Sequence, residues 1–329
     1  MYYDSKDSNT LGCRLCPKHC AISPGQAGFC RVRQNYNGKL YAASFGRVTS
    51  YGLDPIEKKP LYHFYPGTLI LSFGTVGCNF LCEFCQNWTT VHGNPETVPL
   101  TPEKAVSLAV DANMDGAINT GIAYTYSEPL VWYEFVLETA RLTKAAGYKN
   151  VLVTNGYINE TPLKELLGYV DAMNIDVKGF TETYYRKHCA GSLATVLRTV
   201  EIAREQNCHV ELTNLLVTGL NDRSEEIQQL TDWIVSVDRE IPLHFSRYFP
   251  NFNMNIPATP LKTLQMAASI AMEKLPYVYI GNAPELDRQN TYCPSCGNLL
   301  INRTGYKIQL TGLRGTACGK CGKSIYLCG

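Results

Sequence analysis

The sequence has almost no excess of either charge: 30 lysines and arginines face 29 aspartates and glutamates, a formal net charge of +1. That balance gives no electrostatic case for a nucleic-acid partner or an anionic membrane. No stretch approaches 18 consecutive apolar residues, so no membrane span is expected. The opening MYYDSKDSNTLGC lacks a basic start followed by an apolar run, so no signal peptide is expected and the cytoplasm is the expected compartment. There is no internal repeat, no low-complexity run, no Walker loop and no G-x-G-x-x-G, so phosphate-bound nucleotides are not indicated. The 21 tyrosines show no spacing that reads as a base-stacking platform.

Cysteine, by contrast, is abundant. Of 14 cysteines, only Cys189, Cys208 and Cys328 stand apart from three clusters. In a reducing compartment, clustered thiols read as metal ligands rather than bridges. Apolar residues make up 45% of the 329-residue chain and charged residues 18%, enough for a large core and against disorder.

Three parts are expected. Residues 1–60 hold Cys13, Cys16, Cys20 and Cys30 in a turn-rich setting. Residues 61–285 alternate strand and helix. Residues 286–329 are short and Gly-rich and hold Cys293, Cys296, Cys318 and Cys321. In the middle part, strands are expected at 69–76, 121–126, 150–155, 171–177, 209–217, 242–248 and 277–281. Helices are expected at 101–112, 128–147, 161–168, 192–206, 222–237 and 260–275. Two of them open on Thr-Pro, with Thr101 and Thr161 as N-caps. This alternation predicts a parallel sheet of six or seven βα units, an α/β fold suited to a partial (β/α)6-like barrel of the TIM type.

In such a sheet, functional groups gather beyond the carboxyl ends of the strands. Those positions carry Cys78, Cys82 and Cys85, then Ser127 and Glu128, Thr154 and Asn155, Asp176 and Lys178, Thr213, Asn214 and Thr218, His244, Ser246 and Arg247, and Asn282. The loop GTVGCNFLCEFCQNW (74–88) spaces three cysteines as C-x₃-C-x₂-C. Three thiolates on a four-iron cubane leave one iron without a protein ligand, free to bind a small molecule. A three-ligand zinc site or buried thiols are the bland alternatives.

This loop, with Phe84 before Cys85, resembles the radical S-adenosylmethionine (SAM) superfamily. The resemblance implies a 4Fe–4S cluster whose open iron is chelated by the amino and carboxylate groups of SAM. It also implies reductive cleavage to methionine and a 5′-deoxyadenosyl radical that abstracts hydrogen. Activating enzymes of glycyl-radical proteins carry Gly-Gly-Glu-Pro, Thr-Asn-Gly and Asp-x-Lys stretches at the SAM site. Here Tyr126-Ser127-Glu128-Pro129, Thr154-Asn155-Gly156 and Asp176-Val177-Lys178 are similar, with the two glycines replaced. The resemblance therefore implies SAM contacts from Ser127, Glu128, Asn155, Asp176 and Lys178, and Arg247 is a further candidate partner for a carboxylate.

Across nearly the whole chain, CRLCPKHC (13–20), YGLDPIEKKPLYHFYPG (51–67), IAYTYSEP (122–129), DVKGFTE (176–182) and LHFSRYFP (243–250) resemble the radical SAM member of the AmmeMemoRadiSam system. That resemblance implies Memo-type and Ammecr-type partner proteins. A reduced ferredoxin or flavodoxin is the expected electron donor, since no flavin or nicotinamide site is visible.

The C-terminal CPSCG and CGKCG knuckles read as a zinc ribbon. The N-terminal C-x₂-C-x₃-C-x₉-C set suits either a zinc knuckle or an auxiliary iron–sulfur cluster, and structural zinc is the favoured expectation. His19 is a substitute ligand there. Cys189 and Cys208 read as inert small hydrophobes, and His63 as a satisfied structural histidine. The expected function is hydrogen abstraction from an unidentified substrate. Two alternatives stand beside it: a glycyl-radical activase, similar to the pyruvate formate-lyase activating enzyme, and a non-catalytic zinc-binding adaptor.

Overall fold

The computed structural model describes residues 2–5, 9–112 and 118–329. Its centre is one sheet of eight strands: β1 (Ser50–Pro55), β2 (Leu69–Gly74), β3 (Asn119–Tyr124), β4 (Lys149–Thr154), β5 (Ala172–Asp176), β6 (His209–Leu216), β7 (Leu243–Arg247) and β8 (Val278–Gly281). Spatial order follows chain order. β1 pairs antiparallel with β2, and every later neighbour is parallel.

Six helices provide the crossovers: α1 (Pro102–Asp111), α2 (Tyr133–Ala145), α3 (Glu160–Leu167), α4 (Leu193–Glu205), α5 (Ser224–Asp238) and α6 (Leu261–Met272). Each connects one parallel strand to the next, which the right-handed crossover rule favours. β3 and β6 are buried along almost their full length even though they carry polar residues, among them Asn119, His209 and Glu211.

Local signals set the helix ends. Thr101 Oγ1 accepts the Lys104 N–H at 3.2 Å, with Pro102 in the first turn. Past α2 the chain needs a left-handed residue, and Gly147 supplies it at φ +81°. The expected helix over 128–147 is divided: Pro129–Trp132 is a 3₁₀ turn, and α2 starts at Tyr133. The expected cap at Thr161 is corrected to Asn159, because α3 starts one residue earlier, at Glu160. Pro162 is then still inside the first turn, where its missing N–H costs nothing. Asn150 ties a crossover down: its side chain donates to the carbonyls of Ala140 at 2.9 Å and Tyr169 at 3.0 Å.

The first 48 residues form small antiparallel pairs around the first cysteine set. At the other end, antiparallel strands Thr291–Tyr292, Leu299–Thr304 and Lys307–Leu310 pack on Tyr277 and Tyr279 at the sheet's far edge. Buried Arg303 fastens this tail, donating to the Tyr62 carbonyl at 2.7 Å and Thr291 Oγ1 at 2.7 Å.

Candidate functional site

The carboxyl ends of the parallel strands open into one cavity of about 680 Å³. It collects Cys78, Cys82 and Cys85 from the loop after β2, Glu128 after β3, Asn155 after β4, and Asp176 and Lys178 at the end of β5. Thr213, His244, Ser246 and Asn282 complete the far wall.

The cysteine loop is held from below and from the side. Ser127 Oγ accepts the Thr75 N–H at 3.4 Å, joining the ends of β2 and β3. Leu81 N–H donates to the Cys189 carbonyl at 2.9 Å, and Glu83 N–H to the His188 carbonyl at 3.1 Å, so the turn before α4 clamps the loop. Cys78 Sγ accepts the Phe80 N–H at 3.3 Å and faces Asn155 Nδ2 at 3.5 Å. Burial pushes the Cys85 thiol up to about 11. Such sulfurs ionise only when a metal supplies the opposing charge.

Glu128 is 2% exposed. Its carboxylate accepts Leu130 N–H at 2.9 Å, Thr154 Oγ1–H at 2.6 Å and Asn155 N–H at 2.8 Å. A carboxylate offers about four acceptor sites, so one remains for a ligand donor. Burial nevertheless outweighs these three bonds and raises its pKa to about 7. Lys178 behaves in the opposite way. Burial alone would lower its pKa, but the Asp176 carboxylate at 2.7 Å holds it raised.

Arg247 is not brought into this cavity. It donates to the Thr259 carbonyl at 2.9 Å and lies 3.6 Å from Glu285. Asn214 and Thr218 likewise fall outside the lining. His63 is fully buried, bonded to the Tyr326 carbonyl at 2.5 Å and Tyr279 OH at 2.6 Å, and burial pushes it down to about 3.

The sequence reading missed the opposite rim. There Lys59, 2.7 Å from Asp54, faces Tyr126, whose hydroxyl also bonds Asp54. Tyr126 sits at φ +65°, a strained position for a non-glycine residue. Gln289 and Tyr306 of the C-terminal tail also reach the cavity wall.

The other cysteine sets differ in spacing. At a Zn–S distance of 2.3 Å, a tetrahedron has edges of about 3.8 Å. The C-terminal four match it: Cys293 and Cys321 lie 3.6 Å apart, and Cys296 and Cys318 3.7 Å apart. All four sulfurs fall within 4.8 Å of one another. Among the described residues, the barrel cysteines and the N-terminal four form no such group. The thiolates of a four-iron cluster each bind a different iron, so they stand farther apart than ligands of one ion.

The radical SAM superfamily model matches residues 73–234. A protein of Methanocaldococcus jannaschii, described as uncharacterized, is 44% identical over 333 residues, 99% of this chain and 98% of that protein. The chain therefore carries a radical SAM superfamily domain. Within it, the Escherichia coli pyruvate formate-lyase 1-activating enzyme is similar, at 24% identity over 173 residues, 51% of this chain and 69% of that protein. The 4-hydroxyphenylacetate decarboxylase activating enzyme of Clostridium scatologenes is 23% identical over 162 residues, 46% of this chain and 52% of that enzyme. The crystal structure of a radical SAM methyltransferase from Sphaerobacter thermophilus shares the fold, with a TM-score of 0.51 and 14% identity over 72% of this chain and 71% of that one. The superfamily implies a 4Fe–4S cluster and SAM. No helix among the described residues is long and apolar enough to cross a membrane.

Proposed function

We propose that this chain is a radical SAM enzyme that abstracts a hydrogen atom from a substrate bound in the 680 Å³ cavity. The observation carrying this reading is that Cys78, Cys82 and Cys85 share that cavity with Glu128, Asn155, Asp176 and Lys178. The residues fit the group: three thiols point to one wide space, with polar side chains from successive strands around it. Lining contributed by β4 to β8 and by the loops that follow β2 and β3 supports a sheet curled as a partial barrel.

The cluster and SAM would supply a 5′-deoxyadenosyl radical, and the protein's part is placement and exclusion of water. Glu128 has one acceptor site left for the SAM amino group. Asp176 and Lys178 present a paired acceptor and donor for the ribose and carboxylate, while Asn155 steadies the Cys78 sulfur. Ser127 acts on the loop through Thr75. Zinc at the C-terminal four would fix a wall of the cavity through Tyr306 and Gln289.

The AmmeMemoRadiSam assignment, with Memo-type and Ammecr-type partners and a ferredoxin or flavodoxin donor, is part of this proposal. A cytoplasmic location and a division into parts at about residues 60 and 285 belong to it as well. A glycyl-radical activase is the second reading, favoured by the similarity to activating enzymes. Against it stands the strained Tyr126-Ser127 in place of two glycines.

The test is anaerobic. Protein reconstituted with iron and sulfide, given SAM and dithionite, is expected to release 5′-deoxyadenosine, and the Cys78→Ala/Cys82→Ala/Cys85→Ala variant is not. No 5′-deoxyadenosine from either protein would sink the proposal and leave the zinc-binding adaptor standing. A glycyl radical signal on a co-encoded protein would decide for the activase.

A further inference from the structure

A second buried cavity lies beside the first. Cys13, Cys16, Cys20 and Cys30 all line it, together with Arg33 and Asn79. Three observations separate this set from the C-terminal four. First, the sulfurs are not gathered within the 4.8 Å that a single ion requires. Second, the four cysteines line one common cavity with the apolar side chains of Leu15, Ile22 and Val131, which bring no competing ligand to a metal–sulfur core. Third, Arg33 is 1% exposed, and its Nε is buried without a hydrogen-bond partner. Its other nitrogens are taken by Glu134 at 2.7 and 2.9 Å, so this N–H faces the cysteines unused. The sulfurs already accept backbone donors, including Phe29 N–H to Cys20 at 3.3 Å. His19 is exposed, and four thiols suffice without it.

The two cysteine sites share a wall. Asn79 follows Cys78 directly, lines the second cavity, and accepts Asn155 Nδ2 at 2.9 Å. Gly77 precedes Cys78 and lies so close to Cys30 that an added Cβ would stand 2.8 Å from its carbonyl oxygen. We propose that Cys13, Cys16, Cys20 and Cys30 hold a second 4Fe–4S cluster, set against the barrel site as a one-electron relay. A low-potential iron–sulfur or flavin protein would be oxidised by one electron as this cluster is reduced. The same electron would then pass across the Gly77–Asn79 wall, returning the cluster to its starting state.

The experiment compares anaerobically purified wild type with the Cys78→Ala/Cys82→Ala/Cys85→Ala variant, in which the N-terminal residues are untouched. The variant is expected to keep about four irons and four acid-labile sulfides, against about eight of each in wild type. After dithionite reduction, its electron paramagnetic resonance spectrum should show one isolated cluster. The wild type should show a spectrum split by a second reduced cluster nearby. Zinc in place of iron and sulfide in the variant overturns the assignment. An unsplit wild-type spectrum with about eight irons overturns the adjacency. Should the variant not fold, the wild-type count decides: about four irons with two zincs refutes the second cluster. The reading of the barrel site fails separately, if the variant retains all of the wild type's iron.

Discussion

Glu128 offers the sharpest test of the SAM site, because its environment pulls in two directions. Burial raises its pKa to about 7 in the ligand-free protein, although three donors favour the ionised form. An amino group of SAM placed at the remaining acceptor site would need the carboxylate ionised to make a charge-assisted bond. With a pKa near 7, about 9% of the protein is ready at pH 6 and about 91% at pH 8. Binding to the ready fraction alone makes the apparent affinity about tenfold tighter at pH 8, on the order of 1.4 kcal/mol.

Chelation to iron also requires the amine to shed a proton, which adds a slope of its own. Glu128→Gln keeps that slope and loses the carboxylate's. The quantity to measure is therefore the ratio of variant to wild-type Kd, by anaerobic calorimetry on cluster-loaded protein. It is expected to rise about tenfold between pH 6 and pH 8. A ratio that stays flat across this range refutes the placement of Glu128 against SAM. The ligand-free protein has a matching signature. A carboxyl group whose folded pKa is raised gives stability that is complete below about 4.5 and lost as pH rises through about 7. Bound SAM should offset that loss, so its effect on Tm should be larger at pH 8 than at pH 6.

Three further outcomes are expected. Gly77→Ala places a Cβ 2.7 Å from Val32 Cγ1 at a φ of +91°, and should cost roughly 1–3 kcal/mol in denaturant unfolding and loosen iron retention; unchanged stability and iron would contradict the shared wall. Asp176→Asn strands the Lys178 charge and should destabilise by about 3 kcal/mol, with Lys178→Met restoring part of it in the double variant. A thermal-shift series showing additive losses would refute that coupling. Cys296→Ser should drop zinc from about one per chain to none and expose residues 286–329 to protease, read by mass spectrometry; retained zinc would refute the single-ion site.

The sheet was legible because its strands are apolar runs separated by helices with clear starts, such as Thr101-Pro102. Boundaries differ by a residue or two, as fraying ends do. The edge strand β1 was not legible. Among the described residues its outer edge has no strand partner and it is half exposed, so Ser50–Pro55 shows neither an apolar run nor a clean alternation. The strand-end rule named residues that line the cavity after β2 to β8, and also Asn214, Thr218 and Arg247, which do not; the Arg247 side chain turns to Thr259 and Glu285. It could not find Lys59, which lies on the connection between β1 and β2. In sequence, Glu57-Lys58-Lys59 looks like a solvated charge run. In the fold, Lys59 is 2% exposed, and Asp54 offsets the burial that lowers its pKa.

Spacing along the chain pointed to different metals for the barrel loop and the C-terminal knuckles but left the N-terminal set open between zinc and an iron–sulfur cluster, and the reason is geometric. C-x₂-C occurs in all of them, because a two-residue knuckle suits any metal–thiolate corner. What differs is the distance between corners, which the rest of the fold imposes. The C-terminal corners belong to two short hairpins that close on each other, leaving sulfurs 3.6 and 3.7 Å apart, the edge of a single-ion tetrahedron. The barrel corners lie along the one loop that follows β2, and among the described residues that line the cavity they are the three thiols. The N-terminal corners come from two segments, do not gather within 4.8 Å, and line a cavity with Leu15, Ile22 and Val131. Four thiols gathered within 4.8 Å, three thiols on one wide cavity and four set apart beside a spare arginine N–H are three different arrangements of the same thiol chemistry, and the surrounding strands rather than the chain spacing set the distances between corners.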